Sequence, residues 1–201
     1  MQIVLATEDE LSEEVGVRLA ADVGVGVCQR LRRGGSGYLQ SRMKNFCEIA
    51  SFQPVLVLAD LDQARCPSEL VAKWFGTLSR PPSLLLRFAV REIESWLLAD
   101  HVGIGNLLGR RVRRRLPKTP DELRDPKRVL LSLAEQAPRD VRSDLLPPEG
   151  AFAVQGLGYN SRLCEFVRNA WDPRRAAERS PSLRKARNRL GEMVRAARRR
   201  R

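Results

Sequence analysis

The sequence predicts an α/β fold: a Rossmann-like parallel sheet of about four strands with helices on both faces. Two observations predict it. Four apolar runs too short to be helices recur along the first ninety residues, at 2–6, 25–31, 55–59 and 84–90. Between them stand stretches of helical periodicity, and strands joined by crossovers of that length run parallel.

Each element has a local reason. The run QIVLA at 2–6 is bounded by charge and reads as a buried strand. Thr7, with Glu10 three residues on, fits a capping box, and Leu11, Val15, Leu19 and Val23 follow at helical spacing to about Asp22. After the second strand, Arg33 to Gly37 holds three glycines and predicts a flexible turn. Tyr38 to Ser51 predicts one helix, and Val55–Ala59 (VLVLA) a strand with no polar face to meet water. A helix over 67–78 opens on Pro67-Ser68-Glu69, and Arg80-Pro81-Pro82 precedes the fourth strand. Glu92 to Ala99 is helical by composition, with Trp96, Leu97 and Leu98 expected in the core. Beyond residue 100 the chain becomes basic and proline-punctuated, with helices expected at 125–136, 157–171 and 182–200 and a basic tail at 198–201. The division expected is an α/β core over 1–103 and a basic, mainly helical region over 104–201 packed on it.

Composition narrows the function. No apolar run approaches the ~20 residues of a membrane span, and the first residues lack a signal-peptide pattern. Four cysteines without a CxxC pair read as reduced, mostly buried thiols, hence a cytoplasmic location. His101 is the single histidine, which argues against zinc sites built on His pairs and against Ser-His-Asp triads. No GxxxxGK[ST] phosphate loop occurs. The net charge of +12 is uneven: residues 1–108 carry −2 and residues 109–201 carry +14. Clustered cations release counterions on binding phosphate, so the expected partner is a nucleic acid or another polyanion. Aromatic residues are 5% of the chain, which argues against a base-stacking platform.

In an open parallel sheet, ligands gather beyond the carboxyl ends of the strands. Glu8 follows the first strand, and Asp60-Leu61-Asp62 ends the third. Three carboxylates crowded there would repel one another unless a cation lay between them, and Mg²⁺ suits such a set of oxygens. Each part also has an ordinary reading: an acid in a first helical turn, an Asp closing a strand. Glu92 is the expected fourth carboxylate if the fourth strand extends through Arg91. Arg110, Arg111, Arg113, Arg114 and Arg115 form the densest basic run of the interior and are expected to track a phosphate backbone, with Lys118 and Lys127. Tyr159 reads as a loop anchor or a substrate contact.

Strand, Glu8, helix and then VLVLADLD with Asp60 and Asp62 resembles the TOPRIM domain of primases, topoisomerases and overcoming-lysogenization-defect nucleases. The segment from Arg91 to Asp100, REIESWLLAD, is similar to the E-x-E-x-W-L-L-x-D segment of small bacterial TOPRIM-like proteins of unassigned function, with Arg91 where that group often places His. The resemblance implies that Glu8, Asp60 and Asp62 organise Mg²⁺ or Mn²⁺ for phosphodiester chemistry on DNA or RNA, in a role such as bacterial defence. Overcoming-lysogenization-defect nucleases join this domain to an ATPase, so the resemblance implies that this chain takes an ATPase or other protein in trans or does without. The alternative is a non-catalytic nucleic-acid-binding module with a degenerate site. A phosphotransferase of haloacid-dehalogenase type would carry its DxD on the first strand, with Thr where this chain has Ala64.

Overall fold

Four strands carry the fold: β1 (Gln2–Thr7), β2 (Gly26–Arg32), β3 (Val55–Asp60) and β4 (Leu84–Ala89). They form one all-parallel sheet in the order β2-β1-β3-β4. The structure is a computed structural model describing residues 1–32, 34–64 and 66–199; Arg33 of the expected turn and Arg200 and Arg201 of the expected tail lie outside them.

Side chains alternate across the sheet and fill two cores. Ile3, Leu5, Leu56 and Leu58 face one side; Val4, Ala6, Val55, Val57 and Ala59 face the other. The second side is covered by α2 (Ser36–Ser41), α3 (Met43–Ala50) and α4 (Pro67–Phe75), through Leu39, Met43, Phe46, Trp74 and Phe75. The single helix expected over 38–51 is thus two, broken at Arg42. Gly76, with φ +52°, stops α4 three residues short of the expected end.

The first side is covered by α1 (Glu10–Asp22) and by the later helices. These are α5 (Glu94–Ala99), α6 (His101–Leu108), α7 (Pro126–Ala134), α8 (Arg139–Leu145), α9 (Tyr159–Asn169), α10 (Pro173–Ala177) and α11 (Pro181–Arg199). Trp96, Trp171, Leu163 and Leu190 belong to the same cluster as Ile3 and Leu5, so the hydrophobic contact runs unbroken from the sheet into the C-terminal half. Trp96, Leu97 and Leu98 are buried, as core residues. The short helices α6, α8 and α10 carry too few periodic positions to stand out in the sequence.

Edge strand β2 is largely exposed and clasped to α1 by ion pairs from Arg30 and Arg32 to Glu13. Cys28 lies on it and is exposed; Cys47 and Cys66 are half-buried, and only Cys164 is buried, a correction to the expectation of mostly buried thiols. All four are free. No helix among the described residues is long and apolar enough to cross a membrane.

Candidate functional site

The strand order reverses between β1 and β3: the chain moves one way from β1 to β2, then returns past β1 to β3 and β4. At such a switch point the connections diverge and leave a crevice beyond the carboxyl ends of the two central strands. Glu8 and Asp60 stand there. The Glu8 carboxylate accepts the Asp60 backbone N–H at 3.0 Å, which fixes the two residues together across 52 positions of sequence.

Local chemistry frees Glu8 for this. The sequence suggests Thr7 as the cap of α1, but Thr7 is the last residue of β1 and the cap is Asp9, whose Oδ1 accepts the Ser12 N–H at 2.8 Å. The cap moves because Thr7 stays in the ladder, paired with Arg32 on one side and Leu58 on the other. Glu8 is left in the turn, half-buried, outside the helix.

Asp62 sits just beyond β3 with φ +48°, a conformation that Asp tolerates better than most residues. Its N–H donates to the Arg91 carbonyl, and the Arg91 guanidinium donates to the Asp62 carbonyl, both at 2.9 Å. Arg91 itself has φ +63°. The two loops are therefore clasped by one backbone–backbone bond and by the Arg91 guanidinium on the Asp62 peptide carbonyl.

The fourth carboxylate is Glu94, a correction to the expectation of Glu92. The strand does not extend through Arg91; β4 ends at Ala89 and α5 begins at Glu94. Glu92 lies in the bend between, and its carboxylate accepts the Lys127 backbone N–H at 2.9 Å. Glu94 is buried, accepts a hydrogen bond from the Tyr159 hydroxyl at 2.8 Å, and exerts the strongest neighbouring charge on Asp60.

The electrostatics are those of crowded, desolvated acids. Burial raises Asp60 well above the carboxylate range, and the charges of Glu94, Glu8, Asp9 and Asp62 raise it further. Glu8 is pushed up to about 7, chiefly by burial, with the Asp60 N–H opposing and Asp62 and Asp9 adding. Burial also raises Glu94, against the Tyr159 hydrogen bond. Asp60 Oδ1 is buried without a hydrogen-bond partner. An unpaired buried carboxylate oxygen is costly, and a cation or a proton is what would relieve it.

The three-carboxylate cage expected of Glu8, Asp60 and Asp62 is not formed: among the described residues no group of three or more His, Cys, Asp or Glu is arranged to hold one metal ion. What fits a divalent ion is narrower, the unpartnered oxygen of Asp60 with Glu8 beside it. Mg²⁺ is commonly held by one or two carboxylates with waters and substrate phosphates completing its shell.

Of the basic residues expected to track a phosphate backbone, Lys127 is the one that contacts Tyr159, the partner of Glu94. Its ammonium lies 4.9 Å above the Tyr159 ring, and Glu92 holds its backbone. Arg110, Arg111, Arg113, Arg114 and Arg115 are exposed on the turn and 3₁₀ segment after α6, which Val112 and Leu116 anchor in the core, and Lys118 is exposed in the bend that follows. Arg113 is engaged with Asn106. Tyr159, read from sequence as an anchor or a substrate contact, is a buried anchor whose hydroxyl bonds Glu94; the sequence carries no signal for that pairing because the two lie 65 residues apart. No family model, no curated protein and no solved structure matches the chain.

Proposed function

We propose that the protein is a metal-dependent nuclease of TOPRIM type, hydrolysing phosphodiester bonds of DNA or RNA, with Mg²⁺ or Mn²⁺ at Asp60 and Glu8. The observation that carries the reading is the buried, unpartnered Asp60 oxygen among raised-pKa carboxylates at the switch point of a parallel sheet. Crowded acids of this kind are costly to fold and are characteristic of sites that take up a cation. When bound, the divalent ion would supply a water activated as nucleophile and charge opposite the scissile phosphate.

The chain's own residues have separate tasks. Asp60 and Glu8 offer the ligand oxygens, and Asp62, held at the rim by Arg91, adds negative charge that favours a cation there. Glu94, pinned by Tyr159, sustains that field from beneath. Lys127 brings a positive charge to the same neighbourhood, suited to the phosphate oxygens as their charge grows. The exposed arginines from Arg110 to Arg115 would hold the backbone farther along.

The test is cleavage of labelled DNA and RNA, single- and double-stranded, by purified protein with Mg²⁺ or Mn²⁺. Activity that requires the ion and is lost in Asp60→Ala, with binding retained, is the expected result. Strands left intact under all these conditions count against hydrolysis. The missing three-side-chain cage favours a second reading, a binding module that grips nucleic acid without divalent ions; it predicts salt-sensitive binding indifferent to both Mg²⁺ and Asp60.

A further inference from the structure

The two edges of the sheet are finished differently. At β2 the cations Arg30 and Arg32 are neutralised by Glu13. At β4 the Arg87 Nε is buried without a hydrogen-bond partner. Burial lowers the Arg87 pKa, with Arg189 of α11 adding to that and Glu192 opposing. Glu192 is itself taken up by Arg189 at 2.8 Å, so the charge of Arg87 is left uncompensated.

The β4 ladder is also open. The strand pairs with β3 alone. The Ser83 and Ala89 carbonyls accept the Val55 and Leu61 N–H groups at 2.8 and 2.9 Å, so the odd-numbered residues of β4 turn their backbone toward β3. Leu86 and Phe88 turn theirs outward, where no backbone group among the described residues meets them. Both residues are buried, and an unpaired backbone group shielded from water is costly. They line a cavity of about 540 Å³, walled by α4 on one side and by the start of α11 on the other.

The walls carry Arg80, Arg87 and Lys185 against one acid, Asp121. That acid is already bonded to the Ser180 hydroxyl at 2.7 Å and to the Ser182 N–H at 2.8 Å. Arg80 is exposed and lies 5.0 Å over the Phe75 ring. Val71, Leu86 and Phe88 supply the apolar part. Leu86 and Phe88 pack on the α4 side of the sheet, so Arg87 between them points to the α11 side, toward Arg189 and Glu192. An occupant that satisfies this edge offers main-chain donors and acceptors together, acids on one face and apolar groups on the other. A small anion supplies acceptors only, and a second β4 would bring like cations together. An extended strand of alternating acidic and apolar residues supplies all three. We propose that the β4 edge is a docking site for such a strand from a protein partner, which adds to the sheet beside β4 with its acids toward Arg87 and Lys185. Docking here needs no metal at Asp60.

The test is fluorescence anisotropy of the full chain with two fluorescein-labelled peptides of equal length and charge, one alternating Glu and Val, the other a block of Glu followed by a block of Val. The alternating peptide is expected to bind at least about tenfold more tightly, the sum of a few ladder bonds and cross-strand ion pairs. The double variant Arg87→Gln, Lys185→Gln is expected to close that gap. Lys44→Gln, Arg142→Gln removes the same charge at exposed positions elsewhere and is expected to keep it. Amide hydrogen exchange read by NMR on the wild type needs no variant: the Leu86 and Phe88 N–H groups are expected to slow at least about tenfold when the alternating peptide binds. Equal affinity for the two peptides, a gap that survives the Arg87 and Lys185 variant, or Leu86 and Phe88 amides that do not slow overturns the proposal and reduces the edge to a general attractor of anions. Dimerisation in sedimentation velocity that slows the same two amides without peptide overturns it as well, by giving the edge to a second copy.

Discussion

Helix α5 carries a buried carboxylate at each end, and the two meet opposite fates. Asp100, at its C-terminal end, accepts four hydrogen bonds: from Gly103 and Asp172 backbone N–H groups at 3.1 and 2.9 Å, and from Arg175 Nε and Nη2 at 2.8 and 2.7 Å. Burial alone would raise its pKa, but Arg175 and the two N–H groups outweigh burial and hold it below the usual carboxylate range. Glu94, at the N-terminal end, has one hydroxyl partner, and burial wins. Neighbouring Asp60 has an oxygen with no partner at all. The same solvent exclusion thus gives a structural clamp where a guanidinium is supplied and a strained, cation-seeking site where none is.

The largest expected effect breaks the satisfied end. Asp100→Ala removes four bonds that tie α5 and α6 to α10, and leaves Arg175 and two backbone donors without their acceptor. A loss of about 3 kcal/mol is expected, within the range for breaking a buried pair and tempered by the partial exposure of Arg175. Urea denaturation measures it; a loss under about 1 kcal/mol would mean that the clamp is ornamental. The frustrated end should respond oppositely. Asp60→Asn removes a buried charge from among Glu94, Glu8 and Asp62 and supplies an amide N–H₂ that those carboxylates can accept. Stability is expected to hold or to rise by up to about 1 kcal/mol, while metal-dependent cleavage is lost. Parallel destabilisation of the two Asp variants would erase the distinction between the ends.

How much of this was legible in sequence follows from range. The four strands and their parallel direction rest on local runs and connection lengths, and the structure shows the strands within a residue or so of the expected bounds. Glu8 and Asp60 were visible because a strand end marks position whatever the tertiary packing. Glu94 was not, because choosing it over Glu92 depends on where β4 stops, and beyond Ala89 the chain leaves the ladder for a bend tied to Asp62 through Arg91, a contact 29 residues long in sequence. The pairing of Tyr159 with Glu94 and of Arg175 with Asp100 spans 65 and 75 residues, beyond any periodic signal. Residues 104–201 were readable mainly as charge: their apolar positions join the core of the sheet, but short helices broken by proline hide that face from a periodicity argument.

The smallest expected effect is in pH dependence, and it sharpens the comparison by its sign. The Glu8 carboxyl rises from an ordinary 4.5 to about 7 on folding, so between those values the folded state binds the extra proton. Stability contributed by this group must fall as pH rises from about 4.5 to about 7. Asp100, lowered on folding, contributes stability that is present above its unfolded pKa and is lost as pH falls through its folded value. Denaturation midpoints taken across pH should therefore show Glu8→Gln flattening the decline between about 4.5 and 7. Asp100→Asn should instead flatten the acid limb below it. Mg²⁺ gives the matching control. An ion at Asp60 and Glu8 binds their ionised forms, so it should raise the midpoint of the wild type more at pH above 7 than below 5, and barely move that of Glu8→Gln. A Mg²⁺ effect equal at both pH values and in both proteins would place the ion elsewhere, and the crowding of acids at the switch point would then have to be relieved by protons alone.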